Sequence, residues 1–532
     1  MRLARAADIR RLDERAEREF GIPRILLMEN AGLSVVLAME RVFGSLEGKR
    51  VVVFCGKGGN GGDGMCAARH LVSHGAEIVV GLVGSREELE GETKSNHAIL
   101  DRMGMTPREV KGDSDLPWVS AAASASDFVI DALLGTGSRL PVTGIMSRII
   151  RAVNACGKPV VSVDIPSGLD CDTGKLPGDS IVATLTVTLA LPKRGQVLHP
   201  GTMCIGKLVT ADLTMPPALL NDPGICANVL LPEEVVQLMP RRSPQAHKYD
   251  AGRVLIIAGS RSMTGAAILS GSAALAGGAG MVYLAVPASA AVLLHGRVPE
   301  LIIRPQADTP AGNLSEAAVE DLLAASGQMQ AVALGPGLGT EETTKRAIVK
   351  LLGGISVPMV ADADALNALS QNPDALKEAK GPRILTPHSG EMARLLGITA
   401  EAVEADRLGS ASRCAEKYAA ITVLKGARTV VAEPPSDRAG PEGRQFVVPT
   451  GNAGMATAGT GDVLTGVIAA FLAAGLPALS AALLGAYAHG LAGDLARDAK
   501  TELALTASDI TEHLPGAFRK IAAGGRKEAG TA

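Results

Sequence analysis

The chain has 532 residues, and 47% of them are hydrophobic, which is enough for two to four domains of roughly 100–200 residues each. Its 52 Lys and Arg residues nearly balance its 55 Asp and Glu residues, giving a formal net charge of −3. This balance argues against a general nucleic-acid binder, and the 2% of aromatic residues argues against a platform that stacks single-stranded bases.

Three further features predict a cytoplasmic protein without a membrane partner. The seven cysteines form no CxxC pair, which indicates buried thiols in a reducing compartment. The N-terminal residues mix both charge signs and lack an apolar stretch, so we expect no signal peptide. Segments 262–296 and 463–493 contain no Asp, Glu, Lys or Arg, but both are rich in Ala and Gly, so we expect buried helices of an α/β core rather than membrane spans.

Short β-branched runs alternate with helical patterns along the whole chain, which is typical of parallel sheets covered by helices on both faces. The first group of predicted strands comprises 51–54, 77–83, 128–134, 160–165 and 183–190. After a proline-rich segment, a second group comprises 253–260, 281–287, 331–337, 357–364, 383–387 and 422–426. We therefore predict two doubly wound α/β domains, 1–215 and 247–532, joined by a linker at 216–246.

The first predicted strand leads into a glycine-rich segment, 56–64, and then into a helical pattern. Gly56, Gly58 and Gly61 match the GxGxxG pattern of dinucleotide-binding folds. Two features weaken that interpretation: Asp63 would repel a pyrophosphate at the helix N-terminus, and no acidic residue ends the next strand. A loop for another ligand is favoured, and a glycine-rich turn without a ligand is the alternative.

Two more predicted strands end in an aspartate followed by a glycine-containing loop. Asp131 precedes the loop 135–137, and Asp164 precedes the loop 166–168. Either aspartate alone could be an ordinary loop cap. Because the carboxyl ends of parallel strands meet at one sheet edge, where open α/β sheets bind ligands, the three strand ends together predict a site.

Four segments in this order resemble the NAD(P)H-hydrate epimerase family, which interconverts the two epimers of hydrated NADH or NADPH. They are LMENAG (27–32), the glycine-rich segment 56–64, DALLGTG (131–137) and VDIPSGLD (163–170). The resemblance implies that Asp164 is the acid/base that moves a proton as the hydrated carbon inverts. It also implies a potassium ion, held by the oxygen ligands that a hard cation prefers, on Asn60, Asp131 and Ser167.

The same resemblance implies which residues hold the hydrate. Besides Asp164, they are Gly59, Asn60, Gly61, Gly62, Asp63, Gly135, Thr136, Gly137, Ser138, Arg139, Leu140 and Pro141. Epimerases of this family usually have a second Asn where this chain has Gly59. The departure implies one fewer hydrogen bond to the substrate and leaves the potassium interpretation dependent on Asn60.

The second half lacks a GxxxxGK[ST] motif, so an ATP site there would not be of the Walker type. Its most informative segment is GNAGMATAGTGD (451–462), which leads into an apolar helix. Gly459 to Gly461 would present backbone N–H groups to an anion at the helix start. Asp462 could accept a proton from a substrate hydroxyl, as phosphoryl transfer requires, although a GTGD string alone could be a loop and helix cap.

This half resembles the ribokinase-like superfamily and, within it, the ADP/ATP-dependent NAD(P)H-hydrate dehydratases. The matching segments are 247–267, 335–339, 362–369, 385–397, 425–429 and 451–466. The resemblance implies that the (S)-hydrate contacts Ala266, Gly337, His388 and Asp462, with Asp462 catalytic. It implies that the nucleotide phosphates are held by Lys425, Gly426, Ala427, Arg428, Thr429 and Gly461.

Three departures from the usual dehydratase strings are Ala453, Ala458 and Ser389, and Ala458 requires a backbone conformation that a Cβ tolerates. Asp362 and Asp364 either hold Mg²⁺ through water or end a strand. Without its context, His388 could be a capped loop residue.

Together the two halves resemble the bifunctional NAD(P)H-hydrate repair enzymes. The resemblance implies epimerisation of (R)- and (S)-NAD(P)HX, then dehydration of the (S) epimer through phosphorylation of the ring hydroxyl and phosphate elimination. It implies K⁺ in the first domain, Mg²⁺ in the second, and ADP or ATP as co-substrate, with ADP preferred by analogy. We also expect a homo-oligomer.

Three alternatives remain at this point. A ribokinase-like small-molecule kinase with a regulatory first domain would release a stable phosphorylated product. The first domain could also be a binding scaffold, although Asp131, Asp164 and the NGGD segment would then have no use. A nicotinamide dehydrogenase is the most distant alternative, because the second predicted strand lacks its acidic residue.

Overall fold

The computed structural model describes residues 1–437, 439–440 and 442–524. They form two compact units, one of residues 2–227 and one that begins at Asn228 and also includes Met1. The boundary falls inside the proline-rich segment 216–246. That segment contains two short helices and a short strand.

The first unit contains a parallel sheet with helices around it. Its strands are β1 (Arg50–Cys55), β2 (Glu77–Val83), β3 (Arg108–Val110), β4 (Phe128–Ala132), β5 (Val160–Val163), β6 (Leu185–Leu189) and β7 (Lys207–Ala211). Its helices are α1 (Ala6–Phe20), α2 (Arg24–Phe43), α3 (Gly59–Ser73), α4 (Gly91–Arg102), α5 (Leu116–Ala125), α6 (Gly144–Ala155), α7 (Arg194–Val197) and α8 (Pro217–Leu220).

The described strands of this sheet lie in the order β3-β2-β1-β4-β5-β6-β7, and all neighbours are parallel. β1 shows why both faces need helices: Val51 and Val53 belong to one apolar cluster, while Val52 and Phe54 belong to another. A strand buried on both sides reads as a continuous apolar run. The winding direction reverses between β1 and β4, and ligands bind at such a switch point, outside the carboxyl ends of the strands.

The second sheet is longer. Its strands are β8 (Ala227–Val229), β9 (Arg253–Ile257), β10 (Met281–Pro287), β11 (Leu301–Gln306), β12 (Ala331–Leu334), β13 (Met359–Ala361), β14 (Arg383–Leu385), β15 (Ile421–Leu424), β16 (Val430–Ala432) and β17 (Gln445–Val447). The helices of this unit are α9 (Pro232–Leu238), α10 (Thr264–Ala276), α11 (Ala288–Leu294), α12 (Val319–Ser326), α13 (Glu342–Gly354), α14 (Asp364–Gln371), α15 (Ser389–Leu396), α16 (Ala400–Ala405), α17 (Arg407–Tyr418), α18 (Thr460–Ala473), α19 (Ala478–Lys500) and α20 (Ala507–Gly524). Single turns of 3₁₀ helix lie at Arg86–Glu88, Asp113–Asp115, Gly201–Met203, Glu316–Ala318, Pro373–Leu376 and Ala453–Met455.

The described part of this sheet has the order β11-β10-β9-β12-β13-β14-β15-β16-β17-β8. It is parallel from β11 to β15, and β16 and β17 pair antiparallel at the far side. The winding reverses between β9 and β12. The prediction of two doubly wound α/β domains is therefore confirmed.

The charge-free segments form the apolar interior of the second unit. Segment 463–493 lies in α18 and α19, whose side chains are largely buried. Composition predicted buried helices for segment 262–296. The segment contains α10 and α11, but β10, at the predicted strand 281–287, lies between them. Among the described residues, no helix combines the length and the apolar character needed to cross a membrane.

Candidate active sites

A cavity of about 870 Å³ opens at the carboxyl ends of β1, β4 and β5 in the first unit. It brings together eight of the residues predicted to hold a ligand: Gly59, Asn60, Asp63, Gly135, Thr136, Gly137, Ser138 and Asp164. Of the other predicted residues, Arg139 and Pro141 are exposed, and Leu140 lines a smaller cavity of about 180 Å³. Gly61 and Gly62 are buried in the start of α3.

The glycine-rich segment has a different conformation from the loop expected. Helix α3 begins at Gly59 rather than after the segment, so Gly59 to Asp63 form its first turn and the start of the second. A Cβ on Gly61 would lie 1.9 Å from the carbonyl oxygen of Gly56, so the helix start packs directly against the end of β1. Close packing of helix on strand requires glycine at that position.

Asp164 sits at the end of β5 with a positive φ of 65°, a strained conformation for a residue with a Cβ. Its Oδ1 contacts Lys193 Nζ and accepts a hydrogen bond of 3.0 Å from the Leu189 N–H. The side chain of Lys193 is completely buried, and Nζ also donates to Thr188 Oγ1 at 3.1 Å. The ammonium of Lys193 therefore fixes the position of the Asp164 carboxyl group at the end of β5.

Two more carboxyl groups, Asp63 and Asp13, line the same cavity. Burial raises the pKa of Asp63 well above its usual range, and the charges of Asp164 and Asp13 raise it further. Burial raises the pKa of Asp13 to about 6, with a further contribution from Asp164 and opposition from Lys193. The cavity therefore combines a carboxylate held by a lysine with acids that retain protons more readily than an ordinary aspartate.

The residues predicted to hold potassium are buried beside the cavity. Asp131 is 1% exposed, and its Oδ1 accepts a hydrogen bond of 2.6 Å from Ser167 Oγ. Burial raises the pKa of Asp131, and its hydrogen bonds oppose that shift. Asn60 Nδ2 donates to the Leu134 carbonyl at 3.0 Å, while Asn60 Oδ1 is buried without a hydrogen-bond partner among the described residues.

In the second unit, Lys425 joins two acidic residues. Its Nζ donates to Asp362 Oδ1 at 2.6 Å and lies 3.8 Å from Glu391 Oε2. Asp362 is 1% exposed, and its Oδ2 accepts a hydrogen bond of 2.8 Å from Thr465 Oγ1. Both oxygens of Asp362 are thus engaged by protein donors.

Asp364 is engaged in a similar way. Its Oδ2 accepts a hydrogen bond of 2.8 Å from the Gly339 N–H, and its Oδ1 accepts one of 3.3 Å from Asn367 Nδ2. For Asp362 and Asp364, these contacts favour the strand-end alternative over metal ligands.

Asp462 lies in the first turn of α18. Burial raises its pKa to about 7, the charge of Asp362 raises it further, and Lys425 opposes the shift. A Cβ on Gly461 would lie only 3.1 Å from Lys425 Nζ, so the glycine lets the helix start approach the lysine. The site therefore combines an ammonium, helix N–H groups and a carboxyl that titrates near neutral pH, which are the parts that phosphoryl transfer needs.

His489 fixes the start of α18 from the neighbouring helix α19. Its Nε2 donates a hydrogen bond of 2.9 Å to the Thr460 carbonyl. Burial lowers the pKa of His489 to about 4, so the imidazole is neutral at physiological pH. A neutral donor orients the helix start without adding charge beside Asp462.

Three other residues were predicted to contact the substrate of the second unit: Ala266, Gly337 and His388. Gly337 has a φ of 64°, and a Cβ there would lie 2.9 Å from the Cβ of Ala266, so these two residues are neighbours. His388 caps α15, where its Nδ1 accepts a hydrogen bond of 3.0 Å from the Gly390 N–H. Its own N–H donates to Glu391 Oε2 at 2.8 Å, so His388 and Glu391 stabilise the same turn.

The predicted nucleotide segment, 425–429, follows β15. The buried side chain of Arg407 donates from Nη2 to the carbonyls of Leu424 and Lys425 at 3.1 and 3.0 Å, which fixes the start of the segment. Gly426 packs against this guanidinium with a φ of 142°. Arg428 Nη1 donates to the Pro449 carbonyl at 2.6 Å, and Thr429 Oγ1 donates to the Gly426 carbonyl at 3.3 Å.

Of the departures from the dehydratase strings, Ala458 is compatible with its backbone. It is not among the described residues with a positive φ, whereas its neighbour Gly459 has a φ of 90°. The backbone at Ala458 therefore has a conformation that accommodates a Cβ, which is the condition set by the sequence analysis.

Sequence reasoning missed several side chains that complete these sites. Lys193 and Asp13 belong to the first site, and Glu391 and Thr465 to the second. Glu391 stands in the segment 385–397 that carries the resemblance, so its motif could have identified it. No spacing rule pairs Lys193 or Asp13 with Asp164, because the fold alone brings them together.

Two family models match the chain. One, described as the YjeF-related protein N-terminus, matches residues 25–195, and the other, described as NAD(P)H-hydrate dehydratase, matches residues 254–516. Each match covers one of the two units, and each contains the acidic residue singled out in that unit.

Relatives match along nearly the whole chain. It is 42% identical over 522 residues to the bifunctional NAD(P)H-hydrate repair enzyme Nnr of Moorella thermoacetica, covering 98% of this chain and 97% of the relative. It is 39% identical over 521 residues to the enzyme of the same name from Thermofilum pendens, with 98% and 97% covered. Among solved structures, the ADP/ATP-dependent NAD(P)H-hydrate dehydratase of Bacillus subtilis, co-crystallised with ATP and Mg²⁺, is 29% identical with a TM-score of 0.47 and covers 55% of this chain and 98% of that one. Because the two relatives match both units in one continuous chain, the protein belongs to the family of bifunctional NAD(P)H-hydrate repair enzymes.

Proposed function

We propose that this chain repairs hydrated NADH and NADPH in two steps. The first unit interconverts (R)- and (S)-NAD(P)HX, and the second dehydrates the (S) epimer to NAD(P)H with an adenine nucleotide as phosphoryl donor. The observation that carries the proposal is the position of Asp462, a carboxyl titrating near pH 7 at a helix start that also faces Lys425. A fused epimerase makes chemical sense because a dehydratase specific for one epimer leaves the other unrepaired.

In the first unit, Asp164 is the proposed acid/base. Its position at a strand end and its contact with Lys193 keep the carboxylate oriented toward the cavity that would hold the hydrate. Gly59, Asn60 and Asp63 form one wall, and the loop 135–138 forms another. Movement of a proton between Asp164 and the substrate accompanies inversion of the hydrated carbon.

A potassium ion fits the residues proposed for it. A buried amide oxygen without a donor, as at Asn60 Oδ1, costs about 1–3 kcal/mol, and a hard cation would relieve that cost. Asp131 and Ser167 would supply the other side-chain oxygens. When bound, the ion would supply positive charge that offsets the acidic side chains of the cavity.

In the second unit, Asp462 would accept the proton of the ring hydroxyl as that oxygen attacks the terminal phosphoryl group of the nucleotide. Lys425 and the N–H of Gly461 would hold the phosphates, and the segment 425–429 would fix their position. The phosphorylated oxygen then leaves as phosphate while a proton is lost from the adjacent ring carbon. This elimination restores reduced nicotinamide.

Magnesium fits the charge of this site. Asp362 and Glu391 each raise the pKa of Asp462, with Lys425 opposing them, so the site has an excess of negative charge even before a nucleotide enters. Glu391 Oε2 accepts a hydrogen bond from the His388 backbone N–H, whereas Oε1 lies 3.6 Å from His388 Nε2 and accepts no hydrogen bond among the described residues. Oε1 is therefore the oxygen that would hold the ion together with the phosphates. When bound, Mg²⁺ would supply shielding of the phosphate charge.

The location and assembly of the chain are also proposals. All seven cysteines are free, and six of them are buried, which supports a reducing, cytoplasmic location. We propose a homo-oligomer because half-exposed apolar side chains such as Leu26 and Leu37 remain on the first unit. Sedimentation of the purified chain tests that assembly.

The experiment that tests the function uses pure (S)-NADHX, Mg²⁺ and ADP or ATP, followed by phosphorus NMR and NADH absorbance. The proposal expects NADH and inorganic phosphate in equal amounts, with the faster nucleotide, expected to be ADP, identifying the donor. A stable phosphorylated ring without NADH would instead identify a small-molecule kinase. With neither product, the repair function would be wrong.

A further inference from the structure

Asp13 has a carboxyl group that lies outside the sequence motifs of the first unit and has no role in the proposed function above. It lies in the middle of α1 and lines the cavity that contains Asp164. Within the described chain, no hydrogen bond or ion pair engages it. An aspartate inside a helix competes with the helical backbone, and no contact within the described chain offsets that cost for Asp13. Its position is instead that of a group directed at a ligand.

Burial raises the pKa of Asp13 to about 6, and the charges of Asp164 and Glu14 act in the same direction, while those of Lys193 and Arg24 oppose it. Neither cation forms an ion pair with Asp13, because Lys193 is engaged by Asp164 and by neighbouring oxygens, and Arg24 lies 3.5 Å from Glu17. Asp13 therefore keeps its proton to a higher pH than an ordinary aspartate does. Lys193 holds the Asp164 carboxyl in place in the same cavity.

We propose that Asp13 is the second proton-transfer group of the epimerase site and works on the same substrate carbon as Asp164. The inference rests on the proposed epimerase function and goes beyond it, because inversion of a hydrated carbon needs an acid and a base. With Asp164 alone, one carboxyl would have to protonate the hydroxyl leaving from one face of the carbon and deprotonate the water that adds to the opposite face. Two carboxyls supply both roles at once.

Inversion proceeds by loss of water from the carbon and its return to the opposite face. One carboxylic acid donates its proton to the hydroxyl oxygen as the C–O bond breaks, and the bonding pair leaves with the oxygen as water. The ring nitrogen supplies its lone pair, so the carbon becomes planar within a C=N bond. Water then adds to the opposite face and gives its proton to the other carboxylate. The substrate regains its composition with inverted configuration, and the two carboxyls exchange protonation states.

Asp63 also lines the cavity but suits this role less well. It lies in α3, a few residues from the proposed potassium ligand Asn60. Burial raises its pKa well above its ordinary range, and the charges of Asp164 and Asp13 act in the same direction, so Asp63 favours the protonated form. Asp13 comes from a separate helix.

The test uses the full chain without nucleotide, so that the dehydratase is idle, and follows conversion of pure (R)-NADHX to the (S) epimer by chromatography. The variant is Asp13→Asn, and the matched control is Glu19→Gln, an exposed acid on the same helix outside the cavity lining. We expect Asp13→Asn to lower kcat by about 100-fold with KM within about threefold, whereas Glu19→Gln keeps the parental values. Because Asp13 must be protonated to donate, parental kcat should fall about tenfold per pH unit above its pKa, and Asp13→Asn should lack that limb.

Parental kcat and an unchanged pH profile in Asp13→Asn would overturn the inference. If thermal unfolding shows that this variant does not fold, the pH profile of the parental chain tests the inference instead, after the rate of spontaneous epimerisation has been subtracted. A flat parental profile between pH 5 and 8 would also overturn the inference. A parental chain that does not epimerise NADHX at all would refute the proposed function itself, which separates the two failures.

Discussion

Both candidate sites place a buried lysine against an aspartate near the carboxyl ends of a parallel sheet, but the lysines hold different partners. In the first unit, Lys193 contacts Asp164, the proposed acid/base itself. In the second, Lys425 contacts Asp362, and the proposed base Asp462 has a pKa raised to about 7. The lysine thus contacts the proposed reacting group directly in the first site and a neighbouring aspartate in the second. A lysine–aspartate pair therefore does not by itself identify the base.

The largest expected effect is the loss of one activity while the other is retained. We expect Asp462→Asn to lower dehydratase kcat by about 1,000-fold, because an amide cannot accept the hydroxyl proton. Epimerase activity, measured on the same preparation, should remain parental. Asp498→Asn, at an exposed position of α19, is the matched control. Dehydratase activity within a few-fold of the parent would rule out Asp462 as the base.

The second prediction concerns the lysine that holds the reacting group. Lys193→Met leaves the Asp164 carboxylate without its ammonium, and breaking a buried ion pair costs about 3–5 kcal/mol. We expect a lower free energy of unfolding, measured in denaturant, and a loss of epimerase activity of about 100-fold. Dehydratase activity should be retained, and the exposed Lys175→Met should change neither property. Unchanged epimerase activity in a folded Lys193→Met chain would contradict the comparison.

The third prediction is a pH dependence of the second site. The carboxylate form of Asp462 is the base, and that form is lost as pH falls through its pKa of about 7. Dehydratase kcat/KM should therefore decrease about tenfold per pH unit below that value. Because Glu391 raises the pKa of Asp462, Glu391→Gln should shift the midpoint to lower pH. A rate that stays constant from pH 8 down to pH 5 would show that Asp462 does not titrate during the reaction.

The smallest expected effect comes from substitutions of two glycines in the first turn of α3. No atom lies within 4 Å of a Cβ placed on Gly59, so Gly59→Asn fits and adds an amide to the cavity wall. One extra hydrogen bond of about 1 kcal/mol should lower the epimerase KM about fivefold. Gly61→Ala, by contrast, places a Cβ 1.9 Å from the Gly56 carbonyl oxygen and should reduce activity. Equal effects of the two substitutions would contradict the packing described for this helix.

The sequence predicted the central strands well because long apolar runs carry a strong signal. β2 and β10 match their predicted ranges, whereas β3, β8, β16 and β17 were missed since three residues are too few to show a period. β7 and β11, longer strands at the edges of their sheets, were missed as well, and Pro305 within β11 weakens a strand pattern.

The site residues also fall into those with a local sequence signal, which were predicted, and those without one, which were missed. Asp164 and Asp462 were found because each ends or begins an element next to a glycine-rich segment, which is a local signal. Lys193 lies 29 residues after Asp164, and Asp13 comes from the first helix, so only the fold brings them to the cavity. The start of α3 at Gly59 was missed because glycine has low helix propensity, and packing against β1 outweighs it there.

The central claim is that one chain holds two sites that act in series on one damaged cofactor. The most direct test gives the parental chain, Asp164→Asn and Asp462→Asn a mixture of (R)- and (S)-NADHX with K⁺, Mg²⁺ and the preferred nucleotide, and follows NADH absorbance. We predict full recovery with the parent, recovery that stops at the (S) share with Asp164→Asn apart from slow spontaneous epimerisation, and almost none with Asp462→Asn. Full recovery at the parental rate by Asp164→Asn, or NADH formed at the parental rate by Asp462→Asn, would contradict the claim.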